Sequence, residues 1–476
     1  SVTGVQTCAL PICERMLRFS LRAVLPSVRT RSIVRCFSSA MPATNVSELS
    51  NGFRVASEDH GGDVATVGVW IDVGSASETP KNNGVAHFLE HMAFKGTTNR
   101  TGEQLARAIE NMGGKLNAYT SREHTCYFAS VLKKDVNQAV EILADILQNS
   151  TLDAAHVEAE RSVILAEMAD VESRPEEVIF DQLTQTAFPN DSLGYTILGP
   201  KANINSISRD DLQQYISEHY TPSRMVLVGA GAVSHSELTD AADKYFGKMQ
   251  KSENTTTNNS SVMYVGSDVK IDQPAMRNIN LAVAMEAPSV NSPDSVVMSV
   301  CQHILGTWDH SSTGAQHLGS YLAQAFSAHN LGQSFMTFYT PYKQSGLFGV
   351  YAVSEPGHHV DDMVYAIENE WVRLTQSVSA GELARAKAQL KANMLMELDG
   401  SFPIAESIGR QMITLGSRVP VAEYFARVDA VTENDVKRVA STYFYDQDPV
   451  MAAVGPHLEE VPEYSRLRRW TYWLRA

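Results

Sequence analysis

The sequence predicts an α+β protein made of two similarly built halves, and three observations lead to this prediction. Its 476 residues suffice for two or more domains with separate cores. Alternating β-rich runs are followed by amphipathic helical segments, and the same order recurs beyond a polar stretch at residues 250–261. The composition, 43% hydrophobic and 20% charged, is that of a globular protein. No apolar run reaches the roughly 18 residues of a membrane span.

The first half begins with two predicted strands, which Gly61 and Gly62 separate as a turn. A break rich in Pro, Asn and Gly then precedes an apolar helix at residues 84–94. Strands are predicted at residues 53–57, 65–73, 115–119 and 125–132, and further helices at 101–112, 136–148 and 154–172.

Residues 250–261 are the clearest linker, because the stretch is polar and poor in apolar side chains. Beyond it, strands are predicted at 279–285 and 346–353, and helices at 292–305 and 380–398. His303 and His310 are too isolated to form a metal site in this half. The second half therefore repeats the order of the first without its chemistry.

Charge and cysteine content restrict the possible partners and compartment. The formal net charge is −15, and residues 1–37 hold six Arg against one Glu, so the remainder is five units more negative than the whole. Such an acidic body disfavours nucleic acid and favours cationic partners. Only Cys126 and Cys301 of the five cysteines lie beyond residue 37, which is too few for a disulfide framework and indicates a reducing compartment.

The amino terminus is expected to be removed. Residues 1–15 precede Met16 and show no periodicity, so we interpret them as upstream translation or a sequencing artefact. From Met16 the chain is Arg-rich and has no acid before Glu48, which is typical of a mitochondrial transit peptide. The alternative is a basic disordered tail. An Arg three residues before the expected cut would leave Ser38 as the first residue.

Three side chains in the apolar helix form a candidate metal site. His87 and His91 are four residues apart and Glu90 is beside them, so all three leave one helix face. Two imidazoles one turn apart can share a zinc ion, and a neighbouring carboxylate can reach a water on that ion. This is the inverted zinc-protease pattern H-x-x-E-H. The alternative is that the two histidines serve packing or solvation.

A catalytic zinc needs a third protein ligand and an open position. Glu160 and Glu167 are seven residues apart on the helix at 154–172, so they lie on the same face. By spacing alone either could reach the metal, or both could simply be solvated.

Three segments together resemble the pitrilysin family of zinc peptidases: residues 84–96, 116–123 and 160–167. The resemblance covers most of residues 45–476. It implies two homologous α/β domains, each with a mixed, mainly antiparallel sheet covered by helices, at residues 38–250 and 269–476, joined by a linker at 251–268. It also implies that His87, His91 and Glu167 bind Zn²⁺, that Glu90 is the catalytic base, and that Glu160 orients a ligand.

The resemblance further implies a substrate site. Asn117 and Ala118 match an edge strand whose main chain pairs with an extended peptide. Glu177 and Asp181 match carboxylates that hold an Arg near the cut, although a solvated acidic face is the alternative. Phe94 matches an aromatic residue in the pocket after the cut, although it could equally be a core residue.

Three functions remain open from the sequence. The first is a catalytic β-type subunit that cuts basic presequences of imported mitochondrial proteins and works with an α subunit. The α partner's glycine-rich loop is not found in this chain. The second is a core subunit of the respiratory ubiquinol:cytochrome c reductase on the matrix side, with a structural or dual role. The third is a stand-alone oligopeptide-degrading enzyme.

Overall fold

The computed structural model describes residues 42–251, 262–311, 319–357 and 360–473, so the expected transit peptide and most of the polar linker lie outside the described residues. The strands are β1 Asn45–Glu48, β2 Arg54–Asp59, β3 Val64–Ile71, β4 Lys115–Thr120, β5 Thr125–Leu132, β6 Met225–Gly231, β7 Asp268–Asp272, β8 Ile279–Glu286, β9 Thr307–Asp309, β10 Ser334–Pro341, β11 Gly346–Ser354 and β12 Val450–Gly455. Among the described residues, no helix has the length and apolar character needed to cross a membrane.

Helices in the first half are α1 Val85–Met92, α2 Gly102–Asn111, α3 Val136–Asn149, α4 Ala154–Glu172, α5 Pro175–Ala187, α6 Lys201–Ser206, α7 Arg209–His219 and α8 His235–Phe246. Those in the second half are α9 Ser295–Leu305, α10 Tyr321–His329, α11 Val360–Gln376, α12 Ala380–Glu397, α13 Ser401–Thr414, α14 Val421–Ala430, α15 Glu433–Tyr443 and α16 Tyr464–Trp473. The predicted strands and helices are present within a few residues of their expected bounds. The α+β prediction is therefore confirmed.

The first sheet has the order β1-β2-β6-β3-β5-β4. Only β2 and β6 run parallel, and the other neighbours are antiparallel. Its centre is formed by β3 and β6, whose apolar side chains are almost all buried. Such continuous apolar runs form central strands because both faces of the sheet are covered. β4 lies at one edge, and in the part of the chain that the structure describes no other strand pairs with its outer side.

The second sheet has the order β7-β12-β8-β11-β10-β9. Here β7 and β12 are the parallel pair, and the antiparallel pairings of β12, β8, β11 and β10 repeat those of β6, β3, β5 and β4. The two sheets differ at their edges, because β9 pairs with β10 whereas no strand of the described residues pairs with the corresponding outer side of β4. The similarity of the halves expected from sequence extends to the pairing of five strands.

Each half contributes one helix to the other half's sheet. Apolar side chains of α5 pack on β8 and β12 in the second sheet, and those of α13 pack on β3 and β6 in the first. Gly409 permits the second contact, because a Cβ there would lie 2.3 Å from the Trp70 ring. This exchange buries apolar surface between the halves, so neither sheet is covered by its own half alone.

Candidate metal centre

The helix that carries the histidines is held at its first turn by a buried carboxylate. Gly84 precedes α1 in the left-handed region at φ 103°, and no side chain at that position caps the helix. Instead Glu78 accepts hydrogen bonds from Gly84 N and Ala86 N, each 2.8 Å long, and from Asn83 Nδ2 at 2.7 Å. Burial raises the pKa of Glu78 to about 7, and the three donors oppose that rise. Glu78 thus replaces the missing cap and anchors α1.

The structure brings His87, His91 and Glu167 together. Their ligand atoms lie within 4.8 Å of one another, and both imidazoles are buried. Glu167 Oε2 lies 2.9 Å from His91 Nε2, and its Oε1 lies 3.8 Å from His87 Nε2. Tetrahedral coordination by such ligands needs donor atoms about 3.4 Å apart, so small side-chain adjustments would suffice.

Unsatisfied buried atoms in this cluster fit a cation. Within the described residues, Glu167 Oε1, which faces His87 Nε2, has no hydrogen-bond partner, although such atoms are normally paired. Burial, aided by the neighbouring His91, lowers the pKa of His87 to about 4 and keeps that imidazole neutral, as ligation requires. Burial also lowers the pKa of His91, but the adjacent carboxylates of Glu160 and Glu167 outweigh it and raise the pKa to about 9. Positive charge is therefore favoured here.

Glu160 does not face the shared point of the three candidate ligands. Its Oε1 accepts from His91 Nδ1 at 2.9 Å, and its Oε2 lies 2.5 Å from Lys95 Nζ. A carboxylate on the far nitrogen of a ligating histidine fixes the ring orientation and raises its basicity. Glu160 is therefore placed where it could orient His91, and that role stays a prediction.

Glu90 is buried beside the cluster and is held by one hydroxyl group. Thr120 Oγ1 donates to Glu90 Oε2 at 2.7 Å. Burial raises the pKa of Glu90 to about 7, while the hydrogen bond from Thr120 opposes the rise. A carboxylate with a pKa near neutrality can both take and return a proton.

The free edge of β4 lies next to this group. Ala118 N donates to the Asn117 side-chain Oδ1 at 2.9 Å, so the side chain occupies an outward-facing amide of the edge strand. An added peptide strand would offer a main-chain carbonyl to the same amide.

Phe94 is half-buried and packs against the first core, which agrees with either interpretation of this residue, as part of the pocket after the cut or as a core residue.

Both acidic residues expected to hold a substrate Arg lie on α5, and both already contact arginines of this chain. Arg174 donates to Glu177 at 2.7 Å, and Arg122 donates to Asp181 at 2.6 Å. The carboxylates are therefore in an environment that accepts guanidinium groups.

Among the described residues, no comparable His, Cys, Asp and Glu cluster exists in the second half. Asn393 is the fourteenth residue of α12, as Glu167 is of α4, and it lies 3.2 Å from His303 Nε2 through its Nδ2. An amide replaces the carboxylate at this corresponding position. The contact between α9 and α12 in the second half therefore has an amide where α4 of the first half provides a carboxylate.

Sequence reasoning missed Thr120, Lys95 and Glu78. Lys95 carried little signal, since it follows His91 by four residues but lies beyond the end of α1. Glu78 carried a weaker signal, an acid shortly before a helix that starts at a glycine. Thr120 had no local signal, because its contact with Glu90 spans 30 residues.

A buried His–His–Glu cluster with an adjacent glutamate, on a fold of two similar α+β halves, defines a metallopeptidase. Two family models match the chain: insulinase (peptidase family M16) over residues 54–201 and the peptidase M16 inactive domain over residues 206–390. Because these matches cover most of the chain, the protein belongs to peptidase family M16, the pitrilysin family. The resemblance seen in the sequence is confirmed.

Curated relatives are similar over nearly the whole chain. The chain is 48% identical over 438 residues to a probable mitochondrial-processing peptidase subunit beta of Arabidopsis thaliana, covering 91% of this chain and 82% of the relative. It is 48% identical over 440 residues to the mitochondrial-processing peptidase subunit beta of Bos taurus, covering 91% and 88%. The human protein of that name is 47% identical over 441 residues, covering 91% and 89%.

Solved structures show the same fold. A chain of complex III2 from Candida albicans, solved with Inz-5 bound, matches with a TM-score of 0.81 and 25% identity, covering 90% of this chain and all of that one. A protease from Helicobacter pylori matches with a TM-score of 0.79 at 20% identity, covering 88% of this chain and all of the other.

Proposed function

We propose that this protein is the zinc-dependent β subunit of a mitochondrial processing peptidase and cuts presequences from imported precursor proteins. The observation that carries the proposal is the buried cluster of His87, His91 and Glu167, with Glu90 directly beside it. Relatives named as beta subunits of this peptidase, 47–48% identical over 91% of the chain, support the choice within the family.

Two imidazoles and one carboxylate form a ligand set that zinc prefers. Zinc held by His87, His91 and Glu167 would supply a Lewis acid that polarises a peptide carbonyl and acidifies a water. Glu90 takes the proton from the attacking water and passes it to the leaving amine. Thr120 holds the carboxylate of Glu90 in place for this proton transfer. Glu160 keeps His91 in its ligating orientation.

The substrate would lie along the free edge of β4. Its main-chain carbonyl would replace the Asn117 side chain on Ala118 N and extend the sheet by one strand. Glu177 and Asp181 would exchange their present arginine partners for an Arg of the substrate. Phe94 would contact the residue after the cut. An acidic body favours association with basic presequences.

The proposed partner is the α subunit of the processing peptidase, in a heterodimer in the mitochondrial matrix. A second candidate function is a core subunit of the respiratory ubiquinol:cytochrome c reductase, with a structural or dual role. The structural likeness to a chain of complex III2 favours this candidate. The domain division at residues 38–250, 251–268 and 269–476 belongs to the same proposal.

The test is to express residues 38–476 with and without a processing-peptidase α subunit and to measure cleavage of an Arg-containing presequence peptide. Glu90→Gln should keep one zinc per chain and lose about 10²–10⁴-fold in rate, the usual contribution of a general base. The matched control is Glu103→Gln, an exposed glutamate on α2, which should behave like the wild type.

Cleavage that requires the α subunit and a metal, and that Glu90→Gln abolishes, would support the processing-peptidase proposal. A folded heterodimer that binds zinc and never cuts would favour the respiratory core subunit. Failure of the wild-type chain to bind zinc would overturn both the ligand set and the mechanism.

A further inference from the structure

A polar cluster lies behind the catalytic edge of the first sheet, on the face opposite α1. Glu406 on α13 accepts from the Tyr119 hydroxyl, with O–O distances of 2.5 and 2.6 Å, and from Trp70 Nε1 at 3.0 Å. Its Oε1 also lies 3.2 Å from Arg410 Nε. Glu406 belongs to the second half, whereas Tyr119 is in β4 and Trp70 in β3. The cluster thus joins α13 to the strand that borders the metal site.

The second half contains the corresponding contact with different side chains. Gly231 is the last residue of β6 and pairs with Asp59, the last residue of β2. Gly455 is the last residue of β12 and pairs with Asp272, the last residue of β7. These two glycines are therefore equivalent positions from which the two sheets can be compared residue by residue. From the residue before each glycine, the pairing partners can be followed across the sheet. In the first sheet residue 230 pairs with 66, 66 with 130 and 130 with 115. In the second sheet residue 454 pairs with 280, 280 with 353 and 353 with 334, so residues 115 and 334 are equivalent. Four residues further along, Tyr119 corresponds to Phe338.

The exchanged helices align in the same way. Glu406 is the sixth residue of α13, and Phe180 is the sixth residue of α5. Phe180 and Phe338 form an edge-to-face pair with ring centroids 4.9 Å apart. The position that joins Tyr119 to Glu406 in the catalytic half is therefore filled by two phenylalanines in the half without metal ligands.

This comparison separates packing from function. Two aromatic rings are sufficient to join an exchanged helix to its sheet, and they need no polar partners. A carboxylate at the same position must be desolvated and is kept only if its hydrogen bonds compensate, so apolar replacements are often as stable or more stable. What the polar cluster adds is a more precise placement of β4 relative to α13, because directional hydrogen bonds restrict the strand's position more narrowly than ring contacts do.

The precise placement of β4 affects both faces of the sheet, because adjacent residues of a strand point to opposite faces. Tyr119 points to α13, and Thr120 points to α1 and donates to Glu90. We propose that Glu406 is a positioning residue of the peptidase: through Tyr119 it fixes the end of β4, and through Thr120 it fixes the proton-transferring carboxylate. The half without metal ligands would then help to align the catalytic base. This inference rests on the metallopeptidase activity of the family and is independent of which peptide is cut.

The experiment replaces the polar pair by the pair found in the other half. The double variant Tyr119→Phe with Glu406→Phe keeps an aromatic contact and removes the hydrogen bonds, and Tyr119→Phe alone is the milder variant. Both should keep the metal content of the wild type and a KM within twofold of it, while kcat falls at least fivefold in the double variant. Arg54→Met is the control, since it removes another hydrogen bond to α13, at β2, and should leave kcat unchanged.

The assay uses the full chain with a processing-peptidase α subunit and a set of presequence and unrelated peptides. Wild-type cleavage of only the unrelated peptides would contradict the proposed function, and the variants would still be compared on those peptides. Hydrogen exchange of residues 115–125 provides a second readout, which should become faster in the variants while residues 334–341 stay unchanged. A kcat within twofold of the wild type in both variants, or unchanged exchange if nothing is cut, would overturn the role of Glu406. If the double variant does not fold, the test rests on Tyr119→Phe alone, and a kcat within twofold of the wild type in that variant overturns the role of Glu406.

Discussion

Glu368, on α11 in the second core, offers a test of how burial controls stability. The residue is 0% exposed, and neither carboxylate oxygen has a hydrogen-bond partner within the described residues. Burial raises the pKa of Glu368 well above its usual range, and the charge of Arg468 opposes this only in part. We predict that Glu368→Met, which has similar length and no polar oxygen, stabilises the protein.

The size and pH dependence of the effect follow from this environment. An unsatisfied buried polar group costs about 1–3 kcal/mol, so the variant should gain about that much free energy of unfolding near pH 8. Because the folded-state pKa lies above that of the unfolded chain, the protonated carboxyl favours folding. Its contribution is complete below the unfolded value of 4.5 and is lost as the pH rises through the folded pKa. The advantage of Glu368→Met should therefore grow with pH.

The measurement is urea unfolding of wild type and variant at pH 5 and pH 8, followed by tryptophan fluorescence. Glu370→Met is the matched control: Glu370 lies on the same helix and is buried, but it accepts from Arg373 Nε at 3.0 and 3.1 Å. That variant should lose about 1–3 kcal/mol, because it removes one of the two carboxylates that hold the Arg373 guanidinium, the other being Glu382. A gain for Glu368→Met that is equal at both pH values, or a loss at pH 8, would refute the reasoning.

Three further predictions concern the metal centre and the junction of the halves. Glu160→Gln should weaken zinc binding about 10–100-fold in a competition titration, whereas the exposed Glu158→Gln on the same helix should not. Glu78→Ala leaves two main-chain donors of α1 without their acceptor and should lower the free energy of unfolding by about 1–3 kcal/mol; an unchanged value would show that water replaces the cap. Gly409→Ala should destabilise by about 1–3 kcal/mol, because its Cβ would lie 2.3 Å from Trp70. Gly381→Ala, with no atom within 4 Å, should be neutral or stabilising in the same unfolding experiment.

Much of the local structure could be predicted because its causes are local. Runs rich in β-forming residues identified β3 and β8, and amphipathic periodicity identified α2, since neither signal needs a distant partner. The spacing of His87, Glu90 and His91 places them on one helix face wherever that helix lies. These residues therefore marked the chemistry before any fold was known.

The strands β1, β6, β7, β9, β10 and β12 were not predicted. In β6 a run of Met, Val, Leu, Gly and Ala is buried on both faces, so the alternation that identifies a half-exposed strand is absent. β9 is only three residues long and depends on pairing with β10. Such strands are specified by their neighbours more than by their own residues.

What the sequence by itself determined is the order of secondary structure and the identity of the residues on α1 that can bind a metal. Only the tertiary structure decided that Glu167 faces both histidines while Glu160 lies on the far side of His91, because spacing alone left the two glutamates equivalent. It also decided the exchange of α5 and α13, and the contact of Glu406 with Tyr119 across 287 residues. Contacts of this kind depend on how sheets and helices pack. Burial of apolar surface is non-directional, so the periodicity of a chain shows which face of an element is buried but not which element covers that face.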